Sequence, residues 1–138
     1  MPDNEDIVRR FIDEYQTGGD ESVAEEILAD DFVDHCPFGP FSPDREGVKQ
    51  LFAALRAAFP DLRAEIHDQF SQGDKVVTRK TFHGTNDGEF MGMPPTGKRV
   101  SFDVIDILRL RDGRFVDHWN VVDAMGLMQQ LGAVSMPA

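Results

Sequence analysis

Val100-Ser-Phe-Asp-Val-Ile-Asp-Ile-Leu-Arg-Leu-Arg-Asp-Gly-Arg-Phe-Val-Asp-His-Trp-Asn-Val-Val-Asp123 is the stretch that decides the fold. It alternates with a period of two, breaks at the turn signal Arg111-Asp112-Gly113, and resumes, which is the pattern of two strands joined by a tight connection. Parity then sorts the side chains. Val100, Phe102, Val104, Asp106, Leu108 and Leu110 share one face of the first strand, while Ser101, Asp103, Ile105, Ile107, Arg109 and Arg111 share the other. On the second strand His118 and Asn120, two residues apart, point the same way among Phe115, Val116, Trp119, Val121 and Val122.

Working outward, the turn signals Gln72-Gly73-Asp74, Thr85-Asn86-Asp87-Gly88 and Pro94-Pro95-Thr96-Gly97 divide the second half of the chain. Four strands are predicted, over 62–71, 74–84, 98–110 and 114–123. Upstream the period is helical. Ile7, Val8, Phe11, Ile12 and Tyr15 form one stripe ended by Gly18-Gly19, and Asp20-Glu21-Ser22 caps a second helix carrying Val23, Ile27 and Leu28. Phe32-Val33-Asp34-His35 reads as a short extended piece. Ser42-Pro43-Asp44 opens a third helix, with the proline placed early and Val48, Leu51, Phe52, Leu55 and Phe59 as its stripe; Pro60 stops it. Met125, Leu127, Met128 and Leu131 suggest a short closing helix. Helices that precede a meander bury their stripes on one sheet face, so the expected class is α+β: three N-terminal helices on a curved, mainly antiparallel sheet, in one domain over 1–138.

Composition bounds the function. A chain of 138 residues can bury about two-thirds of its unfolded surface and enclose one small cavity. Fourteen basic against 25 acidic residues give a formal charge of −11, which repels nucleic acid and anionic membrane surfaces. The single cysteine, Cys36, can form no intramolecular disulfide, and the acidic N-terminus lacks the basic start of a signal peptide. A mature, soluble, cytoplasmic protein is expected.

The candidate chemistry lies on the apolar faces. A histidine and an amide are costly to bury unpaired, so His118 and Asn120 mark either a pocket wall or a core histidine satisfied by a carbonyl. Asp106 sits mid-face among apolar residues, as a proton-transfer group in a pocket or as a structural bridge to Arg79 or His118. Arg79 is a candidate to hold a substrate oxyanion or else an exposed outer-face charge; His35 is a candidate at the pocket entrance. His67 and His83 belong to polar rows. The four histidines show no metal-ligand spacing, no glycine-rich loop opens a helix, and no serine elbow occurs, so neither metal nor cofactor is expected.

The element order, the run Gly84-Thr-Asn-Asp-Gly-Glu-Phe-Met-Gly-Met-Pro-Pro-Thr-Gly97 and the later Asp112-Gly-Arg-Phe-Val-Asp-His-Trp119 together resemble the SnoaL-like polyketide cyclases and ester cyclases, within the wider NTF2-like superfamily. That resemblance implies a helix-lined cone with a deep apolar pocket, a homodimer formed through the sheets, and cofactor-free aldol closure of a polyketide ester through an enolate. It also implies an aspartate after the His-Trp pair as the acid/base. Here that position is Asn120, and an amide cannot take a proton from carbon.

The expected function is therefore enolate-forming cyclisation or isomerisation of a small hydrophobic, polyketide-like carbonyl compound. Asp106 or His118 would be the base, and Asn120 and Arg79 would hold the oxyanion. Tyr15, Phe32, Phe90, Met91 and Trp119 would supply the walls. A non-catalytic binding protein, or a hydrolase or dehydratase, using the same pocket is the alternative.

Overall fold

Asp3 starts the first helix: its carboxylate accepts from the Asp6 amide at 2.8 Å, and the Asp6 side chain accepts from the Asp3 amide in return. In the computed structural model, which describes residues 2–133, this helix, α1, spans Asn4–Arg10 and runs directly into a π-helical stretch, Phe11–Thr17. The widened winding is visible where the Gly18 amide donates to the Asp13 carbonyl five residues back. Its inward side carries Phe11, Ile12, Tyr15 and Gln16, so an amide enters the core with three rings and chains. The apolar period alone had given a plain amphipathic helix.

Asp20 caps α2, Glu21–Ile27. Leu28, read from sequence as part of that helical stripe, has an extended ψ of 121° and instead begins β1, Leu28–Asp34. The short extended piece is thus a full strand. Asp44 caps α3, Arg45–Ala58, by accepting from the Gly47 amide. Pro43 therefore precedes the cap rather than standing inside the first turn, and its carbonyl accepts from the Asp34 amide, tying the loop to the end of β1.

The predicted strands are present to within one residue at each end: β2 Arg63–Gln72, β3 Lys75–Thr85, β4 Arg99–Arg111 and β5 Arg114–Val122. They form a five-stranded sheet in the order β1-β5-β4-β3-β2, antiparallel throughout except where β1 pairs parallel to β5. A fourth helix, α4, Ala124–Gln130, follows; it buries Leu127 and leaves Met125 exposed. Among the described residues no helix is long and apolar enough to cross a membrane.

Alternation on β4 is kept along its whole length, with Val100, Phe102, Val104, Asp106, Leu108 and Leu110 all buried. This face meets the helices through Phe11, Ile12, Phe52, Leu55 and Phe59. The loop between β3 and β4 is folded around Asn86, whose amide donates to the Gly88 carbonyl and whose oxygen accepts from the Thr96 amide and hydroxyl. Gly88 must lack a side chain, because a Cβ there would lie 1.9 Å from the Ala57 carbonyl oxygen. That close approach fixes Phe90 under the end of α3, with its ring 5.5 Å from Phe59.

Candidate active site

A cavity of about 90 Å³ opens between the concave sheet face, the π-helical stretch and α3. Eight of the chain's 11 phenylalanines line it, among them Phe11, Phe32, Phe52, Phe82, Phe90 and Phe102, so its walls suit a flat apolar body. Gln16, Asp34, Lys80, Asp106, His118 and Asn120 are the polar residues set into those walls, beside the thiol of Cys36.

The deepest of these is an ion pair. Lys80 Nζ lies 2.7 Å from Asp106 Oδ2 and donates to Gln16 Oε1 at 2.9 Å, with Lys80 1% and Asp106 3% exposed. Phe82 packs its ring 5.2 Å from the ammonium. Asp106 Oδ1 is buried and has no hydrogen-bond partner among the described residues. The bridge that sequence analysis assigned to Arg79 or His118 is thus made by Lys80. Parity could have found it, since Lys80 shares one face of β3 with Val76, Thr78 and Phe82, all buried.

His118 reaches the cavity from β5 with Asn120 two residues further on. The pairing of β4 with β5 sets Leu108 opposite His118 and Asp106 opposite Asn120, while parallel β1 sets Asp34 beside His118. His118 Nδ1 is 3.1 Å from Asp34 Oδ1, which also accepts from the Cys36 amide at 3.0 Å. Burial alone would raise the Asp34 carboxyl. The hydrogen bond and charge of His118, with the Cys36 amide, outweigh it and hold Asp34 below the usual carboxylate range. Among the described residues no hydrogen bond engages His118 Nε2. A carboxylate on one ring nitrogen and a free second nitrogen is the arrangement of an oriented general base.

Asp106, His118, Asn120, Phe32 and Phe90 therefore meet at the cavity. Five other candidates do not. Arg79 has the opposite parity to Lys80, is exposed, and pairs with Asp68 at 2.7 Å on the outer face. Trp119 stands between two inward residues and so faces outward, stacked at 4.7 Å on His35. His35 is itself exposed, with Nε2 2.9 Å from Asp117 Oδ1. Met91, at the turn of the β3–β4 loop with φ 50°, is exposed. Tyr15 is fully buried but lies one layer behind the wall, its ring 5.0 Å from Phe11 and 5.6 Å from Phe52, and burial pushes its hydroxyl up to about 12. Lys80, Gln16 and Asp34 are polar cavity residues that sequence analysis did not put forward as site candidates.

Comparison with known proteins fits this geometry. A sequence model of the SnoaL-like polyketide cyclases matches residues 6–131. The aklanonic acid methyl ester cyclase DnrD of Streptomyces peucetius is 32% identical over 135 residues, covering 92% of this chain and 89% of that protein. The crystal structure of IdmH from Streptomyces antibioticus, assigned as a polyketide cyclase, superposes with a TM-score of 0.83 at 34% identity, over 95% of this chain and 99% of the other. AclR of Streptomyces galilaeus, assigned as a hydroxylase, gives 0.85 at 30% identity over 97% and 84%. The scaffold is shared more widely than any one reaction.

Proposed function

Because the chain belongs to the SnoaL-like polyketide cyclase family, we propose that it closes a ring in a hydrophobic, polyketide-like ester by an intramolecular aldol reaction, with His118 as the acid/base. His118 Nε2 takes the proton from the carbon next to a carbonyl, and the electron pair moves onto the carbonyl oxygen. The Asn120 amide donates a hydrogen bond to that oxyanion. The enolate carbon then attacks a second carbonyl, a C–C bond forms, and the new alkoxide recovers the proton from the imidazolium. Atoms and charge balance within one molecule. No redox step arises, so the scheme requires no cofactor. Asp34 keeps Nδ1 as the proton-bearing nitrogen and offsets the imidazolium charge.

One observation carries the reading: a carboxylate-oriented imidazole and an amide share one face of β5 inside an aromatic cavity. Asp106 was the other candidate base, but Lys80 engages one of its oxygens, whereas His118 keeps a nitrogen free. The test is incubation with aklanonic acid methyl ester, the substrate class named by the relatives. A product of unchanged mass with one ring more supports the reading. Tight binding without deuterium exchange at carbon in D2O would make the chain a binding protein.

A homodimer belongs to the same proposal. On the outer face Ile105 pairs with Val121 and Ile107 with Trp119, and Val121 is 76% exposed. This cross-strand apolar row suits the same surface of a second copy. Light scattering at micromolar concentration should give twice the chain mass, and Val121→Lys should give the monomer. A reducing cytoplasmic setting is proposed on the lone Cys36.

A further inference from the structure

From the buried pair at the cavity's deep end we infer that Asp106 recognises a hydroxyl of the ligand, with Lys80 and Gln16 holding it for that task. Buried carboxylate oxygens are almost always paired. Among the described residues Asp106 Oδ1 is the one buried carboxylate oxygen that is not. Its twin, Oδ2, is fixed by Lys80 Nζ, which Gln16 and the Phe82 ring hold from two further sides. Neither Thr78 nor Asn120, its partners across the ladder, bonds to Asp106. Among the described residues, Oδ1 is thus an acceptor without a donor.

The missing donor defines the ligand. A carboxylate or phosphate would meet Asp106 as a like charge, and an ammonium would meet Lys80 as one. A neutral phenolic or enolic O–H meets neither penalty and makes a charge-assisted bond. Its apolar body would lie along Phe82, Phe102 and Val104, which line the cavity near the pair in sequence and on the same faces. The inference rests on the cavity being the substrate site. It assigns specificity to residues that take no part in the proton transfer at His118.

The test is a binding measurement that needs no turnover, so it stands apart from the cyclase reading. Calorimetric titration of the purified chain with 2-naphthol, 2-methoxynaphthalene and naphthalene should give 2-naphthol at least about 10-fold tighter than its methyl ether. In Lys80→Met/Asp106→Leu, where the pair is replaced as a unit, that preference should vanish while binding of naphthalene persists. Asp106→Asn keeps the volume and offers an N–H in place of the acceptor, so there the ratio should fall to about 1 or reverse. Loss of the preference in either folded variant supports the assignment. Equal affinities in the native chain, no measurable binding of 2-naphthol, or a preference that survives both substitutions would overturn it.

Discussion

Asp34 and His118 are paired across the only parallel contact in the described sheet, with Oδ1 3.1 Å from Nδ1. The carboxylate comes from the edge strand β1 and orients the imidazole. Asp34→Asn should therefore leave the fold intact and lower kcat/KM on the order of 10²-fold, with KM little changed. Steady-state kinetics beside circular dichroism would check this. A change confined to KM would remove Asp34 from the proton-transfer machinery.

The same pair should be visible in stability. The folded Asp34 carboxyl lies below its unfolded value, so its contribution is present above the ordinary carboxylate range. It is lost as pH falls through the lowered folded value. Thermal unfolding of the native chain should thus decline more steeply with acid than that of Asp34→Asn, and the two curves should converge at the acid end. Parallel curves from neutral to acid pH would contradict the assignment.

Asn120 stands where the family's resemblance implies an aspartate, directly across β4–β5 from Asp106. As an oxyanion donor it should be worth about 10²-fold in kcat when replaced by alanine. Asn120→Asp should also be slower, because it sets a negative charge against both the enolate oxygen and Asp106. A faster Asn120→Asp enzyme would show that the carboxylate at this position, not His118, is the better base.

Breaking the buried pair should cost more than deleting it. Lys80→Met leaves an uncompensated carboxylate at 3% exposure and should destabilise the chain by about 3–5 kcal/mol. Lys80→Met/Asp106→Leu should recover most of that loss. Urea denaturation of the two single variants and the double variant gives the coupling. Additive single effects would mean that the pair is not a unit.

Much of this arrangement is legible in the sequence, and what escapes has physical causes. Strict alternation on β4 puts Asp106 inside because only one register buries Phe102, Val104 and Leu108 together. The same rule assigns Trp119 to the outer face once His118 and Asn120 point inward, and assigns Lys80 to the inside with Val76 and Phe82. The indole's apolar bulk had put Trp119 among the expected pocket walls, and backbone parity overrides it; Lys80, although charged, follows the same parity inward. Asp34 is different. Its partner lies 84 residues away across a parallel pairing, and no local period specifies which strand β1 joins. Gln16 enters the core through a π-helical stretch that the apolar stripe does not announce.

Most direct is the exchange of a carbon-bound proton. Incubated in D2O with aklanonic acid methyl ester, the native chain should incorporate deuterium beside the ester carbonyl and convert it to the cyclised isomer. His118→Ala should do both at least about 10²-fold more slowly, while binding the ester with unchanged affinity. Exchange at the native rate in His118→Ala would contradict the central claim.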